Sequence, residues 1–235
     1  MSSSIQLEPA AAGVEVIKID RPAARNALTL EMLEAFVQAL DEVRSPALVI
    51  TGLGGSFCTG ADLDEIAGPN VEAVADRGQE VVSRIRDFPG LTIAAVNGLA
   101  LGGGMELALA CDVRWATKKS VFALPECGLG VLPAWGGIEL VQEKLPSSVA
   151  LEILLLGKKM TASRAFDLGF VSRILDGREF ESAWRKEIDL LDKSLGYLTK
   201  DLIERVKNRL PADEARRRDK ELLVELSAAN LKNRE

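Results

Sequence analysis

The chain of 235 residues contains no histidine. That absence removes a His-based catalytic triad, a His-ligated zinc and an imidazole-held haem, and it leaves any proton transfer to carboxylates, lysine, tyrosine or cysteine. Cysteine is scarce: Cys58, Cys111 and Cys127 are an odd number at uneven spacing. A disulfide framework is therefore not expected, and a reducing compartment, the cytoplasm, is. Basic residues do not dominate either, with 29 Lys and Arg against 35 Asp and Glu for a net charge of -6. Nucleic acid is a poor partner for such a chain, because phosphate binding needs a basic face. Residues 1–10 lack the basic and apolar regions of a secretory signal. One long apolar stretch runs from Leu91 to Cys111, but it holds Asn97, Glu106 and three consecutive glycines. It reads as a buried strand and a buried helix, not as a membrane span.

What is abundant is apolar side chain, 47% of residues, enough for a continuous core without staples. Ile5 to Leu7 and Val14 to Ile19 read as two strands of an opening hairpin, turning through Pro9 and Gly13. Thr29 is placed to N-cap a helix whose Leu33, Phe36, Val37 and Leu40 fall on one face, ending before Pro46. Ala47 to Thr51 then reads as a short buried strand, Val71 to Phe88 as an amphipathic helix, and Thr92 to Val96 as the next strand. Strand alternating with helix predicts an α/β core with parallel pairing. From about Ser147 helical patterns dominate: Ser148 to Leu156, Thr161 to Leu168, Phe180 to Leu191, Leu198 to Leu210 and Ala212 to Asn230, interrupted by a strand at Val171 to Ile174. A boundary near Leu175 separates a mixed core, 1–175, from a helical region, 176–235, whose Leu222, Leu223 and Leu226 suit subunit packing.

Three glycine-rich segments each follow an expected strand: Gly52 to Leu63, Asn97 to Leu107, and Leu124 to Gly130. The first two lead into helices at Asp62 and Gly103, where backbone N–H groups lack intrahelical partners and lie at the positive end of the helix dipole. Such amides can stabilise an anion. The same glycines also permit tight turns and close helix–strand packing, and both readings stand at this point. A dinucleotide fingerprint is weaker still, because Phe57 occupies the third glycine position after Gly52-Leu53-Gly54.

Glu106 lies within an apolar helix, and Glu126 follows Pro125 between apolar residues. Buried carboxylates need a partner or a function. If the fold brings the pair to one cavity, repulsion and desolvation raise one pKa and provide an acid and a base near neutrality. Each glutamate can instead cap or ion-pair locally, for example with Arg114. Glu139, in the first turn of a helix after Gly137, is explained by the dipole or by an isomerase-type base.

Four blocks, Arg21-Pro22 with Asn26-Ala27-Leu28, Phe57 to Leu63, Ala95 to Val113, and Pro125 to Gly137, together resemble in order and spacing the signature of the crotonase (enoyl-CoA hydratase/isomerase) family. The resemblance implies an α/β spiral core of repeated ββα turns, with C-terminal helices that pack subunits into homotrimers or homohexamers. It implies an acyl-CoA or enoyl-CoA substrate, coenzyme A entering only as part of that substrate, and no separate cofactor, metal or membrane partner. Ala61 and Gly103 N–H would hold the thioester oxygen, and Glu106 and Glu126 would be the base and the acid of a hydratase. Arg25, Ala27, Cys58, Thr59, Gly60, Asp62, Leu63, Gly102, Pro133 and Trp135 fall at substrate- or CoA-binding positions, Asp62 mainly as a structural residue. Two residues depart from the pattern: Asp64 stands where many relatives carry a basic residue, and Trp135 replaces a small one. The indole either narrows the acyl pocket or fills packing space.

Overall fold

The computed structural model describes residues 4–11, 13–192, 214 and 217. It divides into two compact units, residues 1–193 and 194–235. In the first unit, β1 (Ser4–Ala11) and β2 (Val14–Asp20) form the expected antiparallel hairpin, with a register shift between Pro9 and Ala11. Proline is tolerated there because β1 is an edge strand. Helix α1 (Leu30–Glu42) begins as anticipated at Thr29, whose side chain accepts from the Met32 N–H at 3.2 Å, and it buries Leu33, Phe36 and Val37.

Three ββα turns follow. The first holds β3 (Ala47–Gly52), β4 (Ser56–Cys58), the short α2 (Leu63–Ala67) and α3 (Val71–Arg86). The second holds β5 (Leu91–Val96), β6 (Leu99–Leu101) and α4 (Gly103–Ala110). The third holds β7 (Val113–Thr117), β8 (Val121–Ala123), a 3-10 turn at Glu126–Leu129 and α5 (Gly137–Lys144). Then come α6 (Ser147–Leu156), β9 (Met160–Thr161), α7 (Ala162–Asp167), β10 (Arg173–Leu175) and α8 (Phe180–Asp192).

Among the described residues the strands make two sheets, ordered β1-β2-β3-β5-β7-β10 and β4-β6-β8-β9. Each ββα turn thus gives one strand to each sheet and advances the spiral by one position. Pairing is parallel from β2 through β10 in the first sheet, as the alternation predicts, and antiparallel only at its β1 edge. β3 is buried along its whole length, as a parallel strand covered on both faces must be. One apolar core joins the first sheet to α1, α3 and α4 through Ile17, Phe36, Ile50, Ile85 and Leu109.

The glycine-rich segments contain β4 and β6, each only three residues long, which the sequence reading did not place. The strand expected at Val171 to Ile174 begins two residues later, because the Val171 N–H turns back onto Ala165 O. The division between units falls after Lys193, so α8 counts with the first, where Lys18 reaches both Glu8 and Glu181. The helices anticipated at Leu198 to Leu210 and Ala212 to Asn230, and the apolar stripe Leu222, Leu223 and Leu226, lie outside the described residues, apart from Glu214 and Arg217, both helical. No helix among the described residues is long and apolar enough to cross a membrane.

Candidate active site

The loop bearing Ala61 is fixed by a residue that sequence reasoning did not single out. Asn26, buried and left-handed at φ 60°, donates to Leu53 O at 2.9 Å, Ser56 O at 2.7 Å and Phe57 O at 3.3 Å. Its Oδ1 accepts from the Arg21 N–H at 2.9 Å, while the Arg21 guanidinium bonds Ala27 O at 3.1 Å and pairs with Asp62. Asp62 also caps α2, accepting from the Asp64 N–H at 3.0 Å. Next to this cluster the Leu28 N–H donates to Gly60 O and the Asp62 N–H donates to Leu28 O, both at 2.8 Å. In such a parallel bridge the intervening residue faces away, so the Ala61 N–H and C=O point away from the Leu28 strand.

The second amide stands alongside. A Cβ placed on Gly60 would lie 2.9 Å from the Gly103 nitrogen, so the Ala61 loop runs directly against the start of α4. Gly103 opens that helix, and first-turn N–H groups have no intrahelical acceptor. Gly102 sets the angle of entry: its φ of 52° is left-handed, its N–H donates to Ala123 O at 2.9 Å, and its carbonyl accepts from the Glu106 N–H at 3.0 Å. A side chain here is strained by that φ, and it would also displace the Glu126 carboxylate, whose Oε1 lies 2.7 Å from the position a Cβ would take.

Both glutamates border this first turn of α4. Glu106 is 2% exposed, and its Oε1 accepts from the Trp135 N–H at 2.8 Å and the Gly137 N–H at 2.7 Å. Burial, reinforced by the negative charge of Glu126 and opposed by the two amides, pushes its pKa up to about 7. Glu126 opens the 3-10 turn after β8, and burial raises its pKa as well. Its Oε2 is buried with no hydrogen-bond partner, an acceptor turned into the interior with nothing of the protein to meet it.

The local ion-pair reading with Arg114 fails. That guanidinium is 6% exposed and donates to four main-chain carbonyls, of Phe170, Ala108, Cys111 and Asp112, while lying 4.7 Å above the Phe170 ring. It closes the C-terminal end of α4 and leaves the glutamates to each other.

The family model described as "Enoyl-CoA hydratase/isomerase" matches residues 9–232. The chain belongs to the enoyl-CoA hydratase/isomerase family. It is 37% identical over 167 residues to a probable enoyl-CoA hydratase of Bacillus subtilis (strain 168), covering 68% of this chain and 64% of that protein. It is 35% identical over 197 residues to the mitochondrial methylglutaconyl-CoA hydratase of Mus musculus, covering 78% of this chain and 62% of that one. The chain thus matches somewhat under two thirds of the length of these relatives. Among solved structures, an enoyl-CoA hydratase from Polaromonas sp. JS666 superposes with a TM-score of 0.77 at 28% identity, covering 94% of this chain and 91% of that one. One from Bacillus anthracis superposes at 0.75 and 31% identity, covering 80% and 75%. The crotonase-like fold is thereby shown.

Of the remaining expected positions, Arg25, Cys58 and Thr59 form a second group at the end of β4. Arg25 is exposed and left-handed at φ 52°, and its carbonyl accepts from the Thr59 hydroxyl at 3.3 Å. Cys58 is fully buried, its sulfur accepting from the Gly60 N–H at 3.4 Å, and burial pushes its thiol up to about 12. Ala27 is half-buried and Leu63 is 70% exposed. Pro133 and Trp135 are buried, whereas Asp64 and Glu139 are exposed. A 540 Å³ cavity lined by the Gly52 to Gly55 turn, Asn97, Lys119 and Trp184 borders none of the expected site residues. Arg21 and Asn26, and the Trp135 and Gly137 amides that hold Glu106, were missed as site residues. Asn26 sits within a recognised block, but backbone donors leave no side-chain signature.

Proposed function

We propose that this protein is an enoyl-CoA hydratase, adding water reversibly across the double bond of a 2-enoyl-CoA. The observation that carries the proposal is the pair of carboxylates at the first turn of α4, the buried Glu106 held by two amides and the half-buried Glu126 with a buried, unpartnered oxygen. The thioester oxygen accepts from the Ala61 and Gly103 N–H groups, which stabilise negative charge as it develops there. Glu106, ionised near neutrality, takes a proton from water as the oxygen bonds to Cβ, and the double-bond electrons move to the thioester as an enolate. Glu126, whose pKa burial raises, acts as the acid that delivers a proton to Cα and restores the carbonyl. CoA lies along the second group, with its adenine at the Cys58 and Thr59 backbone and its phosphates within reach of Arg25.

An isomerase needs only one carboxylate to carry a proton along the substrate, and the presence of two favours hydration. Glu139 offers little as a second base, because it is exposed. A homotrimeric or homohexameric assembly in the cytoplasm belongs to the same proposal. Incubation with crotonyl-CoA should remove the conjugated thioester absorbance and give 3-hydroxybutyryl-CoA. Binding of crotonyl-CoA without turnover, on this and longer 2-enoyl-CoAs, would favour an isomerase or a non-catalytic acyl-CoA binder instead.

A further inference from the structure

Glycine weakens the interior of a helix, yet Gly78 sits in the middle of the 16-residue α3 on its buried face. The reason is spatial. A Cβ on Gly78 would lie 2.0 Å from Cε2 and Nε1 of Trp135 and 2.4 Å from its Cδ1. On the facing helix, a Cβ on Gly103 would lie 2.2 Å from Cζ3 of the same indole, 2.5 Å from Cε3 and 2.7 Å from Cη2. The five-membered ring therefore bears on α3 and the six-membered ring on the first residue of α4. The side chain is 4% exposed and fills the gap between the two helices.

That gap adjoins the chemistry. The main-chain N–H of Trp135 holds Glu106, and its ring stands against the residue whose N–H faces the thioester oxygen in the hydratase reading, on which this inference rests. A substrate whose carbonyl oxygen is at Gly103 and whose Cβ reaches Glu106 must send the rest of its acyl chain past the Trp135 to Gly137 segment. The slot between α3 and α4 is the apolar space immediately beyond, and the indole occupies it. We infer that Trp135, seated between Gly78 and Gly103, is a specificity-determining residue that closes the acyl site to medium and long chains and restricts the enzyme to short 2-enoyl thioesters.

The test compares kcat/KM for crotonyl-CoA and trans-2-decenoyl-CoA in the wild type, Trp135→Ala and Trp135→Phe. The wild type should favour crotonyl-CoA by about 100-fold or more, given that even one methylene in an apolar pocket changes rates by roughly 10-fold upward. Trp135→Ala should move the ratio towards decenoyl-CoA by at least about 10-fold, chiefly by lowering KM for the longer chain. Trp135→Phe, which keeps much of the packing, should move it part of the way and serves if the alanine variant does not fold. Equal wild-type turnover of both chains, or a ratio unmoved in a folded variant, overturns the inference while leaving the hydratase reading intact. Absence of wild-type turnover on either chain overturns the hydratase reading, and this inference with it.

Discussion

The guanidinium of Arg21 is ion-paired with the carboxylate of Asp62, joining the segment after β2 to the start of α2 across the loop that presents Ala61. The pair is partly exposed, 24% and 15%, so its contribution to global stability is small and its main effect is to fix the loop. Arg21→Ala should lower kcat/KM for crotonyl-CoA by about 10-fold with little change in circular dichroism, since small displacements of a positioned amide are costly. The Arg21 hydrogen bond holds the Asp62 carboxyl below its ordinary range, so its stabilisation is complete above the ordinary aspartate pKa and is lost as pH falls through the lowered value. Urea titrations between neutral and acid pH should show a smaller acid loss in Arg21→Ala than in the wild type. An equal loss would dissociate the pair from stability.

Asn26→Ala should be far more damaging to stability. It strands three carbonyls and the Arg21 N–H, and it places a residue with a poor left-handed preference at φ 60°. A loss of about 3 kcal/mol, measured from the urea midpoint, follows from the price of unsatisfied buried groups. A change below about 1 kcal/mol would mean that water replaces these bonds.

Glu106 makes stability fall with rising pH. Its folded-state pKa of about 7 lies above the ordinary value of 4.5, so between these limits the native state binds more protons and loses stability as pH increases. The full penalty is on the order of 3 kcal/mol above neutrality. Glu106→Gln, which can still accept from the Trp135 and Gly137 amides, should raise the melting temperature at pH 8 more than at pH 5. A uniform shift at both pH values would contradict the raised pKa. Activity should rise on the acid limb with an apparent pKa near 7, a value belonging to the coupled pair.

Glu126→Gln should lower kcat by about 100- to 10,000-fold while leaving crotonyl-CoA binding within a few-fold, because the lost group transfers a proton and its Oε2 makes no hydrogen bond to the protein. Isothermal titration alongside steady-state rates separates the two. A variant with near-wild-type kcat would remove Glu126 from the mechanism.

Legibility in the sequence follows the size of the signal. α1, α3 and β3 were readable because many apolar residues repeat at one spacing and a cap or a proline marks their limits. β4 and β6 were hidden, since three residues cannot establish an alternation and glycines flank them. Glu106 and Glu126 stood out as charges among apolar neighbours, and the fold does bring both to the first turn of α4. Arg114 was considered only as an ion-pair partner for the glutamates, because the carbonyls it meets carry no residue identity. Gly78 was invisible as a seat for Trp135, since the two are distant in sequence and only packing relates them.

The acceptors recorded for Arg114 are all main-chain carbonyls, which do not titrate. Those four hydrogen bonds therefore do not themselves depend on the ionisation of their acceptors, although the Asp112 carboxylate adds a charge attraction to the guanidinium. The far end of the helix that offers Gly103 is thus gripped by groups other than Glu106 and Glu126, whose charges the chemistry changes.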